Sequence, residues 1–148
     1  MRTAILSDIH GNLTAFEAVV ADLRQTSPDL ILHGGDLAGS GASSADIVDR
    51  IRDLGWAGVV GNTDEMLFRA ESLAEFASQS PHLHSLWTVI AEMAAATREE
   101  LGEDRLAWLP SLPPVQTRNS FALVPSTGIS IDPTFGMFQK CWLLIPAA

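Results

Sequence analysis

Leu6-Ser7-Asp8-Ile9-His10-Gly11-Asn12, close to the start of the chain, is the stretch on which the fold turns. The apolar run RTAIL, residues 2–6, leads into it and reads as a buried strand. Gly11-Asn12 supplies the turn that ends the strand. Asp8 and His10 stand two residues apart, so a strand carrying them to its end places both side chains on the same side of the backbone. A carboxylate and an imidazole that converge can hold a metal, form an acid/base pair, or cap the following helix.

Working outward, strand and helix alternate. Leu13, Phe16, Val19, Val20 and Leu23 recur at helical spacing, and Ser27-Pro28 closes that helix. Asp29 to His33 reads as a short buried strand ending in Gly34-Gly35-Asp36. Ser44 is the expected cap of a second helix with Ile47, Val48, Ile51 and Leu54 on its apolar face, and Gly55 ends it. WAGVV, residues 56–60, is a third strand that stops at Gly61-Asn62-Thr63-Asp64. Three strands joined by two helices predict an α/β fold, a parallel β-α-β-α-β core covered on both faces. Such sheets place ligands at the carboxyl ends of their strands.

Asp8, His10, Asp36, Asn62 and Asp64 therefore belong to one rim. Asp or Asn beside Gly is commonly just a turn former. Here three successive strands end in oxygen or nitrogen donors, a repetition that turn chemistry alone does not require. Carboxylates, an imidazole and an amide without a thiolate suit a six-coordinate divalent ion such as Mn²⁺, with Fe, Zn and Ni as alternatives. Two ions sharing a carboxylate would form a hydrolytic centre.

Composition narrows the partners. The chain has 148 residues, 47% of them hydrophobic, the size of one domain with one core. Nine Lys and Arg stand against 18 Asp and Glu, a formal charge of −9, which repels nucleic-acid backbones and anionic membranes. A phosphate substrate would need cations at the rim to attract it. The single cysteine, Cys141, excludes an intrachain disulfide and a Cys-rich metal site. The N-terminus lacks a signal-peptide pattern and no window is apolar enough to span a membrane, so a cytoplasmic protein is expected. Oligomeric state leaves no trace in the sequence.

Asp8-Ile9-His10, then Gly35-Asp36, then Gly61-Asn62-Thr63-Asp64 resembles the ordered signature D-x-H, G-D, G-N-x-D of the calcineurin-like metallophosphoesterases, in the branch of small bacterial phosphodiesterases. The similarity runs from Met1 to about Val124 and is strongest before Glu65. The resemblance implies an α/β sandwich and a metal-dependent phosphoesterase that cleaves phosphomonoester or phosphodiester bonds of a small substrate through a metal-activated hydroxide. By position it implies that Asp8 and His10 hold a first ion and that Asp36 bridges both. Asn62 would offer its amide oxygen to the second. Asp64 would orient the ligands, and Asn12 would help position phosphate. Asp36, Asn62 and Asp64 form the implied catalytic set.

Two departures bear on activity. Larger family members carry a histidine where Thr63 stands, as the proton donor to the leaving group, and a threonine hydroxyl cannot replace it. Substrates whose leaving group departs unprotonated, aryl or nucleotide phosphodiesters, are therefore expected. The family also completes its metal shells with a later histidine and a G-H-x-H block, whereas SFALV, residues 120–124, runs into Pro125-Ser126-Thr127 and no histidine follows His84. The expected organisation is an N-terminal part of a metallophosphoesterase domain over residues 1–124 and a divergent tail over 125–148, as if the gene were interrupted near Val124. The alternative to an active enzyme is a catalytically impaired remnant that binds metal or phosphate.

The remaining signals are weaker. His82-Leu83-His84 has ligand spacing, but Ser80-Pro81 is a helix start and makes these first-turn, solvent-facing residues. His33 is expected in the core or behind the ligands. Gly39-Ser40-Gly41 reads as a flexible loop near the rim, and the charges of Thr97-Arg98-Glu99-Glu100 as a solvated helix face. An unrelated phosphotransferase using Asp8 as nucleophile is disfavoured, because His10 stands where a second acid would be needed and Gly61-Asn62 has no role.

Overall fold

A computed structural model describes residues 1–118 and 121–124. The tail from Pro125 onward, with Cys141, lies outside the described residues, as does the start of the SFALV segment.

The first half follows the alternation of its sequence. Strand β1 (Thr3–Leu6), helix α1 (Leu13–Thr26), strand β2 (Leu30–His33), helix α2 (Ser44–Leu54) and strand β3 (Ala57–Gly58) form a parallel sheet in the order β1-β2-β3. Register pairs Leu6 with His33 and His33 with Gly58. Side-chain alternation divides the two faces. Ala4, Leu6 and Ile31 pack with Phe16, Val20, Ile47 and Ile51 of the two helices. Leu32 and Val59 face the other way, with Ile5, Leu30 and Ala57, onto Leu123. Both crossover helices thus cover one face, as expected when strands are added in one direction with right-handed connections. The sheet is covered on both faces as the sequence predicts, but the second cover is not a helix: that face meets β5 (Phe121–Leu123), which pairs antiparallel with β4 (Gln116–Arg118).

Helix termini explain the punctuation. Asn12 caps α1, its Oδ1 accepting from the Ala15 amide at 3.1 Å. Ser27 and Gly55 close α1 and α2 in left-handed geometry. Ser43, one residue before the predicted Ser44, precedes α2. Ser44 is fully buried instead, its Oγ accepting from the Gly39 amide at 3.3 Å.

Beyond β3 the chain is helical: α3 (Asn62–Phe68), α4 (Ala70–Gln79), a 3-10 turn at Pro81–Leu83 and α5 (His84–Trp108). α5 is broken at Gly102, whose φ of 68° no helix tolerates. Leu101, just before that break, and Leu109, just after α5, join Ala38, Val48 and Leu67 in a second core. The segment after the break is tied to α2: both Arg105 Nε and Nη2 donate to the Asp49 carboxylate, and Arg52 donates to Asp104 at 2.6 Å. The charges of Arg98, Glu99 and Glu100 lie on an exposed face, as the sequence predicts, but Thr97 beside them does not. Thr97 is buried and donates its hydroxyl to the Gly39 carbonyl at 2.9 Å, and Glu100 accepts from the Ala45 amide at the start of α2. Among the described residues no helix is long and apolar enough to cross a membrane.

Candidate metal centre

β1 ends at Leu6, two residues before Asp8, so strand alternation is not what brings Asp8 and His10 together. Asp8, His10 and Asp36 all adopt the left-handed region, with φ of 58°, 48° and 54°. That conformation costs on the order of 1–2 kcal/mol for a residue with a Cβ, and Asp and His are among the side chains that most often accept it. A backbone ladder between the loops after β1 and β2 holds it in place. The Asp8 amide donates to Gly35, that of His10 to Asp36 at 2.9 Å, and that of Gly11 to Leu37 at 2.9 Å.

The outcome is convergence. One donor atom each from Asp8, His10 and Asp36 lies within 4.8 Å of the other two. His10 Nε2 stands 3.8 Å from Asp8 Oδ1. These separations suit three groups on one cation, and the donor set of two carboxylates and an imidazole suits a divalent ion. The residues therefore fit the metal that the family pattern implies.

The electrostatics agree. Burial pushes the His10 imidazole down, but the carboxylates of Asp8, Asp36 and Asp64 outweigh it and the net shift is upward. The hydrogen bond with His10 lowers Asp8 against its partial burial. Asp36 is raised because burial outweighs the hydrogen bonds from Thr63. A cluster that favours a proton on its imidazole is one short of positive charge, which a divalent cation supplies.

The corner after β3 closes on the same point. Asn62 opens α3, and the next residue, Thr63, donates its amide at 2.8 Å and its hydroxyl at 2.7 Å to Asp36 Oδ1. A Cβ on Gly61 would overlap the Asp36 carboxylate, so the glycine preceding Asn62 is a packing requirement. Asp64 is fully buried and lies outside the cluster of three. Its Oδ1 accepts from the amides of Leu37 (2.9 Å) and Ala38 (3.0 Å), and its Oδ2 from Gly61 (3.1 Å). Burial and the Asp36 charge push its carboxyl up to about 6, against those three donors. Asp64 thus ties the loop after β2 to the loop after β3.

The other candidates fall elsewhere. His82 and His84 are exposed, on the 3-10 turn and at the start of α5. His33 is fully buried, neither ring nitrogen has a hydrogen-bond partner among the described residues, and burial pushes its pKa down to about 4. The residues Gly39-Ser40-Gly41 are anchored rather than loose: Gly41 donates its amide to the His10 carbonyl at 2.7 Å, and Gly39 packs against the His10 ring. An open cleft of about 330 Å³ adjoins His10, lined by residues 10–14 and 40–43 and so including Asn12. Sequence reasoning missed Thr63 as a partner of Asp36, because Gly61-Asn62-Thr63-Asp64 reads as a turn and gives no phase for the helix that presents Thr63.

The profile of the calcineurin-like phosphoesterases matches residues 1–125. The chain belongs to this family. A relative by sequence, an uncharacterized protein of Methanocaldococcus jannaschii, is 34% identical over 116 residues, which are 78% of this chain and 44% of that protein. A metallophosphoesterase from Sphaerobacter thermophilus superposes with a TM-score of 0.62 at 31% identity, covering 82% of this chain and 45% of its own. A protein proposed to be a diadenosine tetraphosphatase gives 0.54 at 26% identity, over 77% and 44%. This calcineurin-like chain therefore spans just under half the length of the relatives it matches.

Proposed function

We propose that the chain is a metal-dependent phosphoesterase unit acting on small phosphorylated substrates, with Mn²⁺ as the preferred ion. The convergence of Asp8, His10 and Asp36 within 4.8 Å carries this reading. A divalent ion held there supplies Lewis acidity toward a phosphoryl oxygen and a water acidic enough to ionise near neutral pH. Asp8 and His10 would hold the first ion, Asp36 would serve both, and Asn62 would offer its amide oxygen to a second. Asp64 keeps Asp36 and Asn62 in register through the three amides it accepts from. Asn12 stands at the cleft beside His10, where its amide can meet a phosphate while its carbonyl oxygen caps α1. Thr63 leaves its position without an acid that could protonate a leaving group, which favours aryl or nucleotide phosphodiesters over alkyl esters. A cytoplasmic setting accords with the single cysteine.

One observation favours a second reading, a unit that binds metal or phosphate without turnover: among the described residues a single group of three donors converges, enough to hold one ion. Nitrophenol release from a bis-aryl phosphodiester separates the two. Release that requires Mn²⁺ supports the enzyme, Mn²⁺ uptake without release supports the binding unit, and a chain that does neither refutes both.

A further inference from the structure

We propose that Thr63 is a positioning residue of the metal centre, its hydroxyl and its own amide together orienting the Asp36 carboxylate toward the ion. This role rests on the metal-centre reading above. Both donors come from one residue and meet one oxygen, Asp36 Oδ1, at 2.8 Å for the amide and 2.7 Å for the hydroxyl. Two charge-assisted bonds on one oxygen hold that oxygen in place more firmly than either alone and leave the other carboxylate oxygen for the ion.

The hydroxyl has a single proton. Its other neighbour, the Ala38 carbonyl, is 3.4 Å away, so the shorter, charge-assisted bond to Asp36 takes that proton. Thr63 cannot then also deliver it to a leaving group. Where a histidine at this position would face the substrate, the threonine faces the ligand.

The platform beneath Thr63 is rigid. Met66 and Leu67 bury the inner face of α3, and the Asp64 carboxylate fastens the same helix start to Leu37 and Ala38. A hydroxyl presented from such a platform holds its acceptor at little entropic cost. Partners that orient a metal ligand in this way commonly govern metal affinity by about 10- to 100-fold.

Calorimetric Mn²⁺ titration of the metal-free full chain tests the role, with phosphodiester turnover measured in parallel. Thr63→Val keeps the branched shape and the amide bond but removes the hydroxyl, and should weaken Mn²⁺ binding by about 10- to 100-fold. Thr63→Ser should return affinity to within about threefold of wild type, and Thr63→Ala should behave as valine does if the valine variant folds poorly. Saturating Mn²⁺ should restore turnover in the valine variant. Wild-type affinity in both Thr63→Val and Thr63→Ala would overturn the positioning role while leaving the metal centre standing. A turnover defect that persists at saturating Mn²⁺ would also overturn it, by assigning the hydroxyl to the substrate. A wild-type chain that takes up no Mn²⁺ would overturn the centre itself.

Discussion

Asp8-Ile9-His10 and His82-Leu83-His84 present the same arithmetic, two metal-binding side chains separated by one residue, and only the first pair converges. At the rim, both members are held in left-handed geometry by amides that bond across to the loop after β2, and Asp36 arrives from that loop to complete the group. At 82–84 the chain passes from a 3-10 turn into α5, both imidazoles are exposed, and no third ligand approaches among the described residues. Spacing sets which residues could meet. A constrained backbone and a second segment decide whether they do.

The most severe way to break the contrast is Asp36→Ala, which removes the ligand contributed by the second segment. We expect Mn²⁺ affinity to fall by at least about 100-fold, beyond the usual effect of a supporting residue, with loss of any metal-dependent turnover. Calorimetry checks the first and the nitrophenol assay the second, with circular dichroism to verify the fold. Undiminished Mn²⁺ binding would move the centre away from the rim.

His33 sharpens the contrast from another side, being a histidine neither exposed nor paired among the described residues. Its pKa lies at about 4 in the fold against an ordinary 6.5, so the unfolded chain takes up the proton first. Its contribution to stability is intact above about pH 6.5 and is lost as the pH falls toward 4, by about 2 kcal/mol at pH 5. His33→Leu removes two unsatisfied nitrogens and should be no less stable at pH 7.5. Urea unfolding at pH 7.5 and pH 5 should show the acid loss of the leucine variant smaller than that of wild type by about this 2 kcal/mol. Equal acid losses would mean that His33 finds a partner or stays neutral in both states.

The smallest effect is expected at the pair that fails to converge. His82→Ala combined with His84→Ala should leave Mn²⁺ affinity within about twofold of wild type and stability within about 0.5 kcal/mol. A clear drop in affinity in the same titration would bring α5 into the centre.

The rim was legible because it is written in residues whose chemistry is local: glycine where the backbone must approach closely, and a polar donor beside it at each of three strand ends. Gly61 shows why the glycine is needed, since any larger residue collides with Asp36. The cause of convergence was not legible, because left-handed geometry at Asp8 and His10 depends on carbonyl partners in the loop after β2 that no local pattern reveals. α3 and α4 also escaped the sequence reading. Gly-Asn-Thr-Asp reads as turn, and only the bond from the Gly61 amide to Asp64 at the third helical position shows that a helix begins there. Thr97 looked solvated like its exposed neighbours Arg98, Glu99 and Glu100 because a string of polar residues conceals which of them turns inward to Gly39.

The buried Asp64 carboxylate, gripping amides from two separate loops, makes those loops mechanically one piece. Neither can open to admit or release an ion without dragging the other, since letting go of one side strands a charge with no water to receive it. The two loops are accordingly coupled: a perturbation that frees the Gly61 corner also weakens the carboxylate's hold on Leu37 and Ala38, next to Asp36.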